Sequence, residues 1–80
     1  MFVGIKMPML SETSDEYKIT KIFAKVGDMA VKGKPLMDVE TDKSTMTVSF
    51  YNTGKITELN VREGDVVKYN SLIGVIDEED

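Results

Sequence analysis

One lysine is placed where a side chain could do chemistry outside the folded body. The segment Thr41-Asp42-Lys43-Ser44 joins two apolar stretches, 36–40 and 45–50. Thr, Asp and Ser favour turns because their side-chain oxygens hydrogen-bond nearby backbone amides. Two apolar strands joined by four polar residues therefore predict a hairpin with a type I turn, with Lys43 at or near its tip and its amine in water. A lysine at a hairpin tip is usually only a solvent-exposed residue without a functional role, so this pattern alone leaves the function open.

Most other reactive side chains are missing from the sequence. The chain contains no Cys and no His. It can therefore form no disulfide or thiolate zinc site, and it lacks the most common general base and metal ligand. The acidic residues are spread along the chain, so they predict neither a paired-carboxylate site nor a metal site. We expect no catalytic residues and a chain that runs no reaction by itself.

The composition predicts one small globular domain, with 80 residues of which 41% are hydrophobic and 30% charged. This domain spans 1–80, and residues 77–80 are expected to begin a solvated tail or linker. The net charge of −4 disfavours nucleic acid as a partner, because phosphate binding needs clustered Lys and Arg. Neither a membrane span nor a signal peptide is recognisable. We expect a monomeric domain in the cytoplasm, or in the mitochondrial matrix if the source is eukaryotic.

Short β-type stretches punctuated by glycine make up most of the chain, and helical periodicity is nearly absent. The clearest stretch, Thr45–Phe50, alternates apolar and hydroxyl side chains, which is typical of a half-buried strand. Its Met46 and Val48, with Leu36 and Val39 of the preceding stretch, are predicted core residues. Many short strands with turns between them indicate an all-β barrel or sandwich. The predicted strands are Phe2–Met7, Tyr17–Ala24, Leu36–Glu40, Thr45–Phe50, Lys55–Val61 and Leu72–Ile76.

A shift of 37 positions lays the first half of the chain on the second. Each half then reads as a strand, a Gly-Asp turn, a short strand and an apolar strand, which favours one core shared by two similar halves. The turn glycines are expected at positive φ, with Asn70 in the place of Gly33. The same shift pairs Lys43 with Lys6. The matching positions are Ile19-Thr20 with Ile56-Thr57, Gly27-Asp28 with Gly64-Asp65, Leu36 with Ile73, and Val39 with Ile76.

The stretch from Asp38 to Ser44, DVETDKS, closely resembles the lipoylation motif of the 2-oxo acid dehydrogenase acyltransferases. The resemblance covers about residues 3 to 76 and includes further markers at matching spacings. A lone Glu-Thr-Asp-Lys would be a weak signal, whereas the whole set is specific. The further markers are Met7-Pro8-Met9-Leu10 as the opening strand and turn, Gly27-Asp28 as the first turn, Gly33 and Leu36 before the hairpin, and Gly54 and Gly64 after it.

This resemblance implies a flattened β-barrel of two small antiparallel sheets related by a pseudo-twofold axis, with the hairpin and the chain termini at opposite ends. It implies that a lipoate–protein ligase or lipoyl transferase joins lipoic acid to the amine of Lys43 as an amide. The lipoyl group would then serve a thiamine-diphosphate-dependent 2-oxo acid dehydrogenase, an acyltransferase catalytic domain and dihydrolipoamide dehydrogenase. The cofactor brings its own sulfur, so a cysteine-free chain suits this role.

The neighbours of Lys43 have structural as well as functional interpretations. Asp42 is either recognised by the ligase or caps the turn. Ser44 stands where the family favours a small residue, so packing or turn geometry is the leading explanation. Glu40 and Thr41 are expected to shape the hairpin rather than to contact the cofactor.

The resemblance also places the polar loop 11–16 beside the modified lysine, where it helps the partner dehydrogenase to recognise its own domain. Asp15 and Glu16 are the candidates for that recognition, and the alternative is a solvated connection. Two positions after them depart from the family pattern. Tyr17 stands where a glycine commonly follows the acidic residue, and Ile22 replaces a frequent aromatic residue.

Several alternatives remain open from the sequence. Thr47 and Ser49 stand where many relatives have Glu and Pro, which puts recognition by a particular ligase or complex in doubt. A biotin carrier domain shares the fold, but it typically has methionine on both sides of its lysine, where this chain has Asp42 and Ser44. A cofactor-free binding module would use Lys43 only as a tip residue. The chain could be the amino-terminal piece of a dihydrolipoyl acyltransferase or a free-standing carrier.

Overall fold

The computed structural model describes residues 1–78, which form eight β-strands and no helix. The predicted all-β class is confirmed, and each predicted strand is present with its ends moved by at most a few residues. Short strands also follow the two Gly-Asp turns, as the repeat predicts. The strands are β1 (Phe2–Lys6), β2 (Glu16–Ile22), β3 (Met29–Ala30), β4 (Pro35–Glu40), β5 (Thr45–Ser49), β6 (Gly54–Leu59), β7 (Val66–Lys68) and β8 (Leu72–Glu78).

The last strand extends farther than the sequence predicts. β8 continues through Glu78, so Asp77 and Glu78 belong to the sheet and not to a tail. Asp77 lies opposite Phe2 of β1, and its carboxylate accepts a hydrogen bond from the amino terminus at 3.1 Å. The other two residues of the expected tail, Glu79 and Asp80, lie outside the described residues.

Two four-stranded antiparallel sheets enclose the core, in the strand orders β1-β8-β6-β3 and β5-β4-β2-β7. Exchanging β1 with β5, β2 with β6, β3 with β7 and β4 with β8 converts one order into the other. The register shifts repeat as well, between Ile19 and Lys21 in β2 and between Ile56 and Glu58 in β6, 37 positions apart. The pseudo-twofold arrangement of two small sheets is therefore confirmed.

The Gly-Asp turns join the two halves of the chain to each other. The Gly27 amide donates to the Ile56 carbonyl at 2.9 Å, and the Gly64 amide donates to the Ile19 carbonyl at 2.7 Å. Both glycines have positive φ, 98° and 95°, which L side chains rarely adopt. Each half thus supplies a turn that hydrogen-bonds to a strand of the other half, so the two halves are linked into one body.

The second pair of equivalent turns confirms the substitution of asparagine for glycine. Gly33 has a φ of 90° and Asn70 a φ of 69°. The Gly33 amide donates to the Phe50 carbonyl at 2.9 Å, and the Asn70 amide donates to the Met7 carbonyl at 2.8 Å. Asparagine tolerates the left-handed region better than other residues with a Cβ, which explains its presence at this position.

The pairing of Lys43 with Lys6 is wrong. Strand β1 corresponds to β5, and the ladders superpose them with a shift of 43, which brings Met7 onto Phe50 and Lys6 onto Ser49. The shift of 37 fails here because the partner of β4 follows it in the chain, whereas the partner of β8 comes from the start of the chain.

The symmetric counterpart of the hairpin is the pair Met1 and Glu78. The Thr41 amide donates to the Ser44 carbonyl at 2.8 Å, and the Glu78 amide donates in the same way to the Met1 carbonyl at 2.7 Å. Asn52, which lies beyond the end of β5 remote from the hairpin, donates to a Glu78 carboxylate oxygen at 2.7 Å. The hairpin and the termini therefore lie at opposite ends of a body of 37 × 20 × 19 Å.

The core lies between the two sheets and includes the predicted residues Leu36, Val39 and Val48. Met46 is not a core residue, because its side chain is 38% exposed. It lies one position from the hairpin end of the edge strand β5, opposite Val39, whereas Val48, two positions farther from the hairpin on the same strand, is buried. The full core consists of Ile5, Met7, Tyr17, Ile19, Ala30, Leu36, Met37, Val39, Val48, Phe50, Ile56, Val67, Ile73 and Ile76.

Candidate functional site

A four-residue turn closes the hairpin between β4 and β5. The ladder of the two strands ends at the pair Glu40 and Thr45, and residues 41–44 connect them. The Thr41 hydroxyl accepts hydrogen bonds from the backbone amides of Lys43 at 3.2 Å and Ser44 at 3.1 Å. The same hydroxyl donates to the Ser44 carbonyl at 2.9 Å. Thr41 therefore shapes the hairpin, and φ is negative throughout the turn, in agreement with a type I turn.

Lys43 is exposed in this turn, and its side chain carries the one amine there. Its backbone is fixed by Thr41, but its Nζ makes no hydrogen bond or ion pair with any residue from 1 to 78. A primary amine held on a fixed backbone and open to solvent can receive an acyl group as an amide. Its loss of charge would break no ion pair of the described chain.

Asp42 faces the loop that joins β1 to β2. The Ser11 hydroxyl donates to one carboxylate oxygen of Asp42 at 2.7 Å, and the Thr13 hydroxyl donates to the other. The hydrogen bonds from Thr13 and then Ser11 hold the pKa of Asp42 below its ordinary value, and the Lys43 charge contributes less. We call these two hydroxyls and the Asp42 carboxylate the hydroxyl clip.

The hydroxyl clip fixes the loop to the hairpin through residues that the sequence did not single out. Ser11 and Thr13 are two hydroxyl residues at alternate positions of the loop that the resemblance placed beside the lysine, and this spacing was the available signal. The Ser11 hydroxyl also accepts from the Thr13 amide at 3.1 Å, so the two act as one unit.

Asp15 and Glu16 lie in the expected loop but make their contacts elsewhere. The Asp15 carbonyl accepts from the Tyr69 amide at 2.7 Å, and Glu16 opens β2 opposite Lys68. Both side chains are exposed. Their part in recognition stays a prediction, and so does that of Glu40 and Ser44, which contribute to the hairpin through backbone pairing.

Tyr17 fixes the same loop from inside the molecule. Its ring is buried, with 1% of the residue exposed. Its hydroxyl accepts from the Leu10 amide at 2.9 Å and donates to the Ser14 carbonyl at 3.1 Å. One buried hydroxyl thus bridges the two ends of the segment that carries Ser11 and Thr13.

Residues 1–78 contain no group of three His, Cys, Asp or Glu side chains placed to hold a metal ion. They also contain no helix with the length and apolar character needed to cross a membrane.

The Biotin_lipoyl family model, described as "Biotin-requiring enzyme", matches residues 3–76. Among solved structures, the lipoyl domain of the 2-oxoglutarate dehydrogenase complex from Azotobacter vinelandii superposes with a TM-score of 0.75 at 30% identity, covering 95% of this chain and 96% of that one.

Two curated relatives are longer proteins. The dihydrolipoyllysine-residue succinyltransferase component of the 2-oxoglutarate dehydrogenase complex of Bartonella vinsonii is 36% identical over 77 residues, 96% of this chain and 19% of the relative. The dihydrolipoyllysine-residue acetyltransferase component of the pyruvate dehydrogenase complex of Rhizobium meliloti is 38% identical over 77 residues, 95% of this chain and 17% of the relative. The chain thus spans about a fifth of the length of these relatives.

Proposed function

The chain belongs to the Biotin_lipoyl family and is a lipoyl domain, and on this basis we propose that Lys43 carries the lipoyl group. The observation that supports this most is the position of Lys43. It occupies the tip of the β4–β5 hairpin, with its backbone bound by the Thr41 hydroxyl and its amine free of contacts within residues 1–78.

The residues at the hairpin fit an amide-linked group. Attachment needs an exposed amine whose charge the fold does not use, and Lys43 meets both conditions among the described residues. The Asp42 carboxylate is turned to the loop and not to the Lys43 amine, because both of its oxygens accept hydrogen bonds from Ser11 and Thr13. A lipoyl group on this amine would supply a dithiolane that accepts an acyl group together with two electrons and later gives up both.

The elements around the hairpin would keep the attachment point rigid while the arm moves. The strands β4 and β5 pair from Pro35 and Ser49 up to Glu40 and Thr45. Burial of Val39 and Val48 fixes this register, and a slip by one residue would turn Lys43 away from its exposed position.

The partners of the domain follow from the proposed carriage. We propose that a lipoate–protein ligase or lipoyl transferase modifies it, and that it serves the dehydrogenase, acyltransferase and dihydrolipoamide dehydrogenase of a 2-oxo acid dehydrogenase complex. The relatives named above are components of such complexes. We further propose that the parent chain is a dihydrolipoyl acyltransferase, and that the domain works in the cytoplasm of a bacterium, since these relatives are bacterial.

Intact mass tests the proposal directly. After incubation of the chain with lipoate, ATP and a lipoate–protein ligase, we expect a single lipoyl-sized gain in mass. Lys43→Arg should show no gain, because the guanidinium cannot form the amide under these conditions. Lys6→Arg is the matched control, an exposed strand lysine whose replacement should leave the gain unchanged.

A lipoyl-sized gain in Lys43→Arg would contradict the assignment of the site. No gain in the folded parent chain, with a working control substrate, would contradict lipoyl carriage. A gain with biotin and biotin–protein ligase would then indicate a biotin carrier, and no gain with either would indicate a cofactor-free module.

A further inference from the structure

Tyr17 occupies a position where the lipoyl domains of 2-oxo acid dehydrogenase acyltransferases commonly have glycine. The structure shows what the larger side chain does there. The ring fills part of the core, and the phenolic oxygen reaches the loop between β1 and β2. There it holds the Leu10 amide and the Ser14 carbonyl at 2.9 and 3.1 Å. A glycine could fill neither role, since it has no side chain to pack or to hydrogen-bond.

A continuous set of hydrogen bonds leads from this hydroxyl to the residue beside the attachment lysine. Tyr17 fixes the two ends of the segment Leu10–Ser14. Within that segment, Ser11 and Thr13 bind both oxygens of Asp42. Asp42 precedes Lys43 in the hairpin.

The solvent-exposed hydrogen bonds to Asp42 depend on the buried hydrogen bonds of the Tyr17 hydroxyl. Ser11, Thr13 and Asp42 are accessible to water, which competes for each of their hydrogen bonds. Ordering a free loop to make them would cost conformational entropy in every residue fixed. The buried Tyr17 hydroxyl orders the loop in advance, so the hydroxyl clip forms from a loop that is already in place.

We propose that Tyr17, acting through the hydroxyl clip, is a specificity-determining positioning residue that presents the loop 10–14 and Lys43 to the acylating dehydrogenase as one rigid surface. This inference rests on the proposed function, in which the dehydrogenase must approach Lys43. Thr41 holds the backbone of Lys43 through bonds that do not involve the loop, so we expect lipoylation by the ligase not to depend on Tyr17.

Hydrogen exchange on the unmodified chain tests the structural half of the proposal. Tyr17→Phe keeps the buried ring and removes only the hydroxyl. We expect the amides of Leu10 and Thr13 to exchange about threefold to tenfold faster, the change that follows from losing one net hydrogen bond. Tyr51→Phe is the matched control, because Tyr51 is 64% exposed near the opposite end and should change none of these amides.

Kinetics with lipoylated chains test the functional half. Three dehydrogenases of one bacterium are compared first, those for pyruvate, 2-oxoglutarate and branched-chain 2-oxo acids. The probe is the enzyme that acylates the wild-type domain with the highest kcat/KM. We expect Tyr17→Phe and Thr13→Val to lower kcat/KM mainly by raising KM, and Thr13→Ser to restore it. The rate of lipoylation by the ligase should stay at the wild-type value in all three variants.

Two results would overturn the proposal. One is loop exchange in Tyr17→Phe that equals exchange in Tyr51→Phe. The other is a dehydrogenase kcat/KM that does not fall in the variants, or that falls only as much as their rate of lipoylation falls. The proposal also fails if none of the three dehydrogenases acylates the wild-type domain. A chain that gains no lipoyl mass but shows the expected exchange would contradict the proposed function and leave the loop coupling supported.

Discussion

The side chains around Lys43 divide into those that hold the hairpin and the one available for reaction. Thr41 uses its hydroxyl three times inside the turn. Asp42 is occupied by Ser11 and Thr13 of the neighbouring loop. Lys43 contributes only its backbone to these contacts. The turn is therefore stable without the lysine charge, which is the condition that amide formation on its Nζ requires.

The hydroxyl clip makes Asp42 sensitive to acid and to the loss of its donors. Because its pKa is lowered in the folded chain, the clip contributes fully above the unfolded value of about 3.9 and is lost as the pH falls through the folded value. Thr13→Val removes the leading cause, so the pKa of Asp42 should rise toward its ordinary value. Carboxyl carbon shifts of Asp42 followed by NMR from neutral to acid pH would measure this.

Thr57→Val is the control for that titration. Thr57 also loses one hydrogen bond on substitution, to the Val75 carbonyl, but in the other sheet. It should leave the Asp42 titration unchanged. An identical Asp42 pKa in wild type and Thr13→Val would show that the clip does not persist in solution.

Much of this site was accessible from the sequence, for identifiable reasons. The tip lysine follows from polar residues between two apolar strands, and Thr41 from the turn preference of hydroxyl side chains. The resemblance placed loop 11–16 beside Lys43, but Ser11 and Thr13 were not chosen within it, because the folded conformation of the loop decides which of its side chains reach Asp42. The role of Tyr17 was also hidden, since its hydroxyl acts on residues that only the folded backbone places around it.

At the level of elements, the backbone conformation of each turn restricts which residue types occur at equivalent positions of the two halves. Gly33 and Asn70 close corresponding turns and share a left-handed backbone. A Cβ added to Gly33 would meet no atom within 4 Å, so space does not explain the glycine. The conformation itself selects glycine or asparagine at this position.

Substitutions at Asn70 test this explanation. Asn70→Ala should lower the free energy of unfolding by about 1 kcal/mol, since alanine is strained at positive φ. Asn70→Gly should change it by less than about half as much. Urea unfolding measures both, with Asn60→Ala as the control at an exposed asparagine of negative φ. A cost for Asn70→Ala no larger than that of Asn60→Ala would contradict the explanation.

The fold was predictable where the pattern is local and repeated. Alternation gave the strands, and the shift of 37 gave the Gly-Asp turns that the structure confirms at Gly27 and Gly64. The pairing of Lys43 with Lys6 failed because β1 joins the second half from the opposite end of the chain, which a constant shift cannot express. Met46 and Val48 occupy alternate positions of the same edge strand, yet only Val48 is buried, so alternation alone could not separate them.

The whole molecule places the hairpin and the ends of its described chain, Met1 and Glu78, on opposite sides. The hairpin with Lys43 lies at one end of the two sheets, and Met1 pairs with Glu78 at the other. The pseudo-twofold axis produces this separation, because it relates the hairpin to the chain termini. A covalent connection ahead of Met1 therefore leaves the surface around Lys43 free.

A folded protein fused ahead of Met1 should accordingly leave the rate of lipoylation at the value of the unfused domain. The same protein inserted between Glu12 and Thr13 should slow it severely, because this loop lies against the hairpin and the inserted bulk would obstruct access of the ligase to Lys43. A mass-spectrometric time course with the ligase compares the two fusions. Equal slowing by both would contradict the separation of the ends.

The attachment of the lipoyl group to Lys43 is tested most directly by peptide mapping of the chain after co-expression with a lipoate–protein ligase. Trypsin does not cleave after a modified lysine, so the chain is digested with a protease that cuts at acidic residues. Among the nine lysines of the chain, we expect the lipoyl mass on Lys43 alone. A lipoyl mass on any other lysine, or on none while a control domain is modified in the same cells, would contradict it.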